Sequence, residues 1–154
     1  MADTQSKGTA LVTGASTGIG AVYAGRLAWR GYDLILVARN QERLNSLAKK
    51  LTSETGRNIE AIAADLSNKQ DLAKVEKVLR EDASITMLVN NAGIGSVASI
   101  LQANIDTMEA MIDLNITALT RLSYAVAPAF VTRGTGAIEQ SSNVEEVDSP
   151  LRSN

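Results

Sequence analysis

Three glycines, Gly14, Gly18 and Gly20, stand between a short apolar run, Thr9–Thr13 (TALVT), and a helix-forming stretch, Ala21–Arg30. Glycine permits a tight turn, a close approach of backbone to another group, and close packing of the helix on the strand before it. A strand–turn–helix of this kind points the first helical amides, and the positive end of the helix dipole, outward across the loop. Glycine-rich strings also mark plain turns. Here the flanking strand and helix supply the context that makes loop Thr13–Gly20 a candidate anion cradle with room for a diphosphate.

The same alternation recurs down the chain. Gly31 suits the left-handed cap after Ala21–Arg30, and Asp33–Ala38 (DLILVA) is a second apolar run with both faces to cover. Asn40 is placed to cap a helix with Leu44, Leu47, Ala48 and Leu51 on one stripe, closed by Gly56. Ile59–Ala64 reads as a third strand. Ser67 and Gln70 have capping-box spacing ahead of a helix that turns Leu72, Val75 and Leu79 inward. Ile85–Val89 (ITMLV) is a fourth strand, ending in Asn90-Asn91-Ala92-Gly93. A long helix is expected from about Asp106 to Arg133, with a bend near Pro128, which lacks a backbone donor. Strands alternating with helices across short turns mean right-handed βαβ units and a parallel sheet with helices on both faces, an α/β fold. Gly136-Ala137-Ile138 begins like a fifth strand, and polar Glu139–Asn143 breaks it. The expected organisation is one domain over residues 1–138 and an irregular polar tail over 139–154.

Composition narrows the chemistry. The 154 residues contain no Cys and no His, which removes disulfides, thiolate nucleophiles, the usual general base and the commonest metal ligands. Proton transfer is left to Tyr, Lys, Asp, Glu or hydroxyl groups, and no metal is expected. A net charge of −2 offers no general attraction to nucleic acid or an anionic membrane. No apolar run reaches the roughly 18 residues of a membrane span, and the polar start, Met1–Lys7, lacks a secretion signal's apolar core, so a cytoplasmic location is expected.

Taken together, Thr13-Gly14-Ala15-Ser16-Thr17-Gly18-Ile19-Gly20, then Asp65-Leu66, then Asn90-Asn91-Ala92-Gly93, then Asn115 resemble the short-chain dehydrogenase/reductase family, in its order and at its intervals, over about residues 8–138. The resemblance implies a Rossmann-type sheet that holds a nicotinamide dinucleotide on Gly14, Ser16, Thr17, Gly18, Ile19 and Gly20. Arg39 follows the second strand, where an acidic residue would bind the ribose hydroxyls of NAD; its guanidinium suits the 2′-phosphate of NADP, so NADP is expected ahead of NAD. Thr17 stands where many NADP-preferring relatives carry a basic residue, and a solvated arginine opening a helix is the plain alternative for Arg39. By resemblance, Asp65 accepts a hydrogen bond from the adenine amino group beside the Leu66 backbone, and Asn91, Ala92 and Gly93 line the nicotinamide-side ribose. Turn capping explains Asp65 and the Asn-rich turn equally well from the residues alone. Asn115, at a mid-helix position that Asn disfavours, would support a proton-relay water, or is simply an exposed helix residue.

In this family a Ser after the fifth strand polarises the substrate carbonyl, and a Tyr with a Lys four residues later donates the proton. Ser141 or Ser142 stands near the Ser position, and Ser142 is the candidate. The Tyr–Lys pair is absent: the last Tyr is Tyr124, and the last Lys, Lys77, precedes it. The resemblance therefore implies an NADP-dependent oxidoreductase acting on a carbonyl or alcohol, truncated after about the fifth strand and inactive as this chain. The alternative is a non-catalytic nucleotide-binding or interaction module. A small-molecule substrate and a homo-oligomer are the expected partners, the latter because the helix Asn115–Arg133 ordinarily packs on a second long helix and is left with an apolar face.

Overall fold

TALVT carries an apolar or β-branched side chain at every position, so a strand built from it has no face to offer water. The computed structural model describes residues 5–93 and 101–140, and in it this run is buried along its whole length. The strands are Thr9–Thr13 (β1), Asp33–Ala38 (β2), Ile59–Ala63 (β3), Ile85–Asn90 (β4) and Ala137–Gln140 (β5). All pair in parallel, in the order β3-β2-β1-β4-β5. The chain winds outward from β1 to β3, then returns to the other side of β1. That reversal opens a crevice at the carboxyl ends of β1 and β4, where ligands of such sheets bind.

The helices are Gly18–Trp29 (α1), Gln41–Thr55 (α2), Lys69–Glu81 (α3), Ile105–Ile112 (α4) and Leu119–Arg133 (α5). Period-two alternation along the strands sorts the core into two layers. Ala10, Val12, Leu34 and Leu36 meet Ala24, Leu27 and Ala28 of α1 and Leu44, Ala48 and Leu51 of α2. Leu11, Ile35, Val37 and Leu88 meet Leu72, Val75 and Leu79 of α3 and Leu122, Val126 and Phe130 of α5 on the opposite face. Each fully buried leucine contributes about 1.5–3 kcal/mol, which is how both faces hold the sheet.

The structure corrects three local expectations. Asn68, not Ser67, caps α3: its Oδ1 accepts from the amides of Gln70 at 3.0 Å and Asp71 at 3.1 Å. Ser67 is occupied instead by Asp65. The expected single helix over 106–133 is interrupted by a π-helical turn, Asp113–Ala118, while α5 runs unbroken through Pro128. Finally, Glu139 and Gln140 do not break the fifth strand but belong to it, pairing with Val89 and Asn90. Ladder hydrogen bonds are indifferent to side-chain polarity, and in the outermost described strand these side chains are exposed. Ser141–Asn154 lie outside the described residues.

Two charged side chains lock α5 in place. Arg133 donates to the carbonyls of Ala83 at 2.6 Å and Ile85 at 2.7 Å, closing the helix end onto the start of β4. On α3, Glu76 is only 4% exposed and accepts from Arg121 Nη2, which lies 3.0 Å from Oε1. Arg121→Ala strips that carboxylate of its described partner, and we expect a loss of about 1–3 kcal/mol in urea unfolding. The cost stays below that of a fully buried pair because the arginine side of the pair is reachable by water. Unchanged stability would show the pair to be idle.

Candidate functional site

A threonine ending an otherwise apolar, fully enclosed strand must find hydrogen-bond partners inside the protein. Thr13 finds three. Its Oγ1 accepts from the amides of Asn91 and Ala92, both at 3.0 Å, and donates to the Val89 carbonyl at 3.4 Å. This hydroxyl stitches the end of β1 to the end of β4. The Asn91 side chain, itself 4% exposed, donates from Nδ2 to the Gly14 carbonyl at 3.3 Å and closes the same seam from the other side.

The glycines are what let the two loops meet. Gly14 has φ +63°, and a Cβ there would lie 2.9 Å from Ala92 Cα and 3.0 Å from its nitrogen. A Cβ on Gly20 would overlap the Gly14 carbonyl and sit 2.5 Å from Asn91 Nδ2. Ala15, fully buried, ties the turn to β2 through its amide and the Val37 carbonyl at 3.3 Å. Ser16 is half-buried, while Thr17, Gly18 and Ile19 remain exposed at the mouth of the turn.

Helix starts differ in a way that bears on function. Asn40, Asn68 and Asn104 cap α2, α3 and α4 with their side chains, and each helix carries an acid in its first turn, Glu42, Asp71 and Asp106. Helix α1 has neither: Thr17 occupies the cap position in extended conformation, makes no capping bond, and no acid follows. The first-turn amides of α1 and its positive dipole end thus carry no side-chain cap and no first-turn carboxylate, an arrangement that suits an anion.

Other expected site residues gather on the same edge of the sheet. Arg39 directly follows β2, is exposed, and has no described hydrogen bond or ion pair. Asp65 follows β3 and its Oδ1 accepts from the Ser67 amide at 3.0 Å and hydroxyl at 2.6 Å. Its role as a turn cap is therefore present in the structure; among the described bonds none uses Oδ2. Leu66 is 4% exposed and packs into the core, which fixes the backbone beside Asp65. Asn115 lies half-buried in the π-helical turn, and a Cβ on Gly93 would come 3.0 Å from its Oδ1. Ser142 lies outside the described residues. The residues that the motif reading missed are Thr13 as a hydrogen-bond hub, Asn90 and Ser123. For Thr13 the signal was there, a hydroxyl in a strand with two covered faces.

A parallel sheet with a glycine turn, an open helix mouth and an asparagine loop across it defines a dinucleotide-binding class of protein. The family model described as short chain dehydrogenase matches residues 8–153, and the chain belongs to that family. It is 54% identical to a short-chain dehydrogenase from Sphingobium yanoikuyae solved in complex with NADPH, covering 86% of this chain and 52% of that one at a TM-score of 0.85. A bulky-bulky ketone specific alcohol dehydrogenase from Comamonas testosteroni is 48% identical, with 88% and 55% covered and a TM-score of 0.86. An uncharacterized oxidoreductase of Staphylococcus saprophyticus is 34% identical over 139 residues, 90% of this chain and 59% of the relative. The chain thus spans a little over half the length of these three proteins.

Proposed function

We propose that these residues form the NADP(H)-holding part of an oxidoreductase that interconverts a carbonyl and an alcohol. The observation that carries this reading is the uncapped, acid-free start of α1 beneath the Gly14–Asn91 seam. There the amides that follow Thr17 grip the diphosphate, with Gly14, Ser16, Thr17, Gly18, Ile19 and Gly20 in contact with it. Arg39 takes the 2′-phosphate through its guanidinium, Asp65 receives the adenine amino group beside Leu66, and Asn91, Ala92 and Gly93 line the nicotinamide-side ribose. Asn115 supports a proton-relay water, and Ser142 is the candidate to polarise the carbonyl. The bound cofactor supplies the hydride chemistry. The NADPH in the Sphingobium relative supports the choice of NADP over NAD.

No Tyr in these 154 residues is followed four positions later by Lys, so the family's proton-donating pair is not among them. The second reading is a nucleotide-binding module without catalysis. Assays of a ketone and aldehyde panel with the whole protein separate the two, since only the first predicts NADPH oxidation. Self-association belongs to the proposal as well. Ile105, Ile112, Ile116, Tyr124 and Val131 expose half or more of their surface along α4, the π-turn and α5.

Fluorescence titration with NADPH and NADH tests the cofactor assignment. Arg39→Asp is expected to weaken NADPH by about 10- to 100-fold, the worth of a charge-assisted hydrogen bond, and to leave NADH nearly unchanged. Equal losses for the two dinucleotides would remove Arg39 from the phosphate site.

A further inference from the structure

We propose that Ser123 is a positioning residue that pins the π-helical turn carrying Asn115 to the loop Asn90–Gly93. Ser123 sits in α5 and touches no residue of the glycine turn in the described hydrogen bonds. Its Oγ accepts from Asn90 Nδ2 at 3.1 Å and donates to the Leu119 carbonyl at 2.8 Å. Asn90 is 4% exposed, so its amide needs that partner. Leu119 is the first residue of α5, directly after the π-turn Asp113–Ala118. One hydroxyl thus joins the end of β4 to the carbonyl at the exit of the π-turn.

The function of such a tie follows from helix geometry. A π-turn places one more residue between hydrogen-bonded partners than the α-helix on either side of it, and such turns concentrate at functional sites. The register in which Asn115 faces Gly93 therefore needs a hold from outside the helix. The Asn90–Ser123–Leu119 chain supplies such a hold beside the turn in which Asn115 Oδ1 comes 3.0 Å from the Cβ position of Gly93. The seam to β1, through Thr13, secures Asn91 and Ala92; Ser123, from α5, secures the residue before them.

The inference rests on the cofactor reading, because the loop it steadies is the one assigned to the nicotinamide side. The test compares the 154-residue chain with Ser123→Ala and Ser123→Thr by amide hydrogen exchange and by NADPH and NADH titration. Ser123→Ala should speed exchange across 113–118 and at Gly93 by about three- to tenfold, as loss of one hydrogen bond implies, while β1 amides keep their rates. It should weaken NADPH and NADH by the same factor, about three- to tenfold, unlike a change at Arg39. Threonine, whose hydroxyl can make the same backbone bond, should restore both. Unchanged exchange over 113–118, an equal rise in β1, or no rescue by threonine would overturn the proposal. A wild-type chain that binds neither dinucleotide sinks the cofactor reading instead, and the exchange comparison, which needs no ligand, still decides the pin.

Discussion

Gly14→Ala is expected to abolish measurable dinucleotide binding, with Kd for NADPH raised more than about 100-fold, and to cost about 3–5 kcal/mol of stability. Two effects add. At φ +63° an L side chain is strained, and the new methyl carbon would sit 2.9 Å from Ala92 Cα. The obstacle is backbone, not a flexible side-chain tip, so relief requires the β1 and β4 loops to part. Parting them breaks the Asn91 Nδ2 bond to the Gly14 carbonyl and tilts the amides at the start of α1 away from their common focus. Gly18→Ala is the internal comparison. Its φ is +56°, but nothing lies within 4 Å of its Cβ position, so only the backbone term of about 1 kcal/mol applies to stability. Urea unfolding and NADPH titration of the two variants check this. A Gly14→Ala protein with wild-type affinity would show that the seam does not shape the site.

Thr13→Val carries the second-largest expected effect. The swap keeps the shape of a side chain that is 1% exposed and removes one oxygen. That oxygen is the acceptor for two amides, Asn91 and Ala92. Each amide left unsatisfied in a buried setting costs about 1–3 kcal/mol, and Ala92 is half-buried, so a total of about 2–4 kcal/mol is expected. Thr13→Ser, which keeps the oxygen, should recover most of it. The measurement is the urea midpoint at unchanged m-value, which isolates stability from changes in exposed surface. A loss under about 0.5 kcal/mol would mean that water or backbone rearrangement satisfies both amides.

How legible the fold was in the chain depended on the distance over which each feature is decided. The runs TALVT and DLILVA announced strands covered on both faces, and the structure buries them between two helical layers. Asn40 and Gly56 marked the ends of α2 through capping chemistry that involves only a few neighbouring residues, and both appear as expected. Where two local signals competed, the pattern misled: Ser67 and Asn68 both suit a cap, and Asp65 had already engaged the serine. Glu139 and Gln140 looked like a strand's end because side-chain polarity was read where only backbone pairing with β4 mattered.

The candidate site divides in the same way. The glycine turn, Arg39, Asp65 and the asparagine loop were singled out from order and spacing, and the structure sets each of them after a strand at the same end of the sheet. What sequence could not reveal was the cross-bonding between those loops. Thr13 lies 78 residues from Asn91, and Asn90 lies 33 from Ser123. Nor does any local pattern distinguish the α-helical from the π-helical turn around Asn115.

By itself the amino-acid order determined that strands and helices alternate, which faces are apolar, and where a glycine turn joins a strand to a helix, because these rest on dihedral preference and periodicity within one segment. Only the tertiary structure decided which loops touch and that Gly14 must stay without a side chain to admit Ala92. Those are contacts between segments far apart in the chain, and they exist only once the sheet has set β1 beside β4.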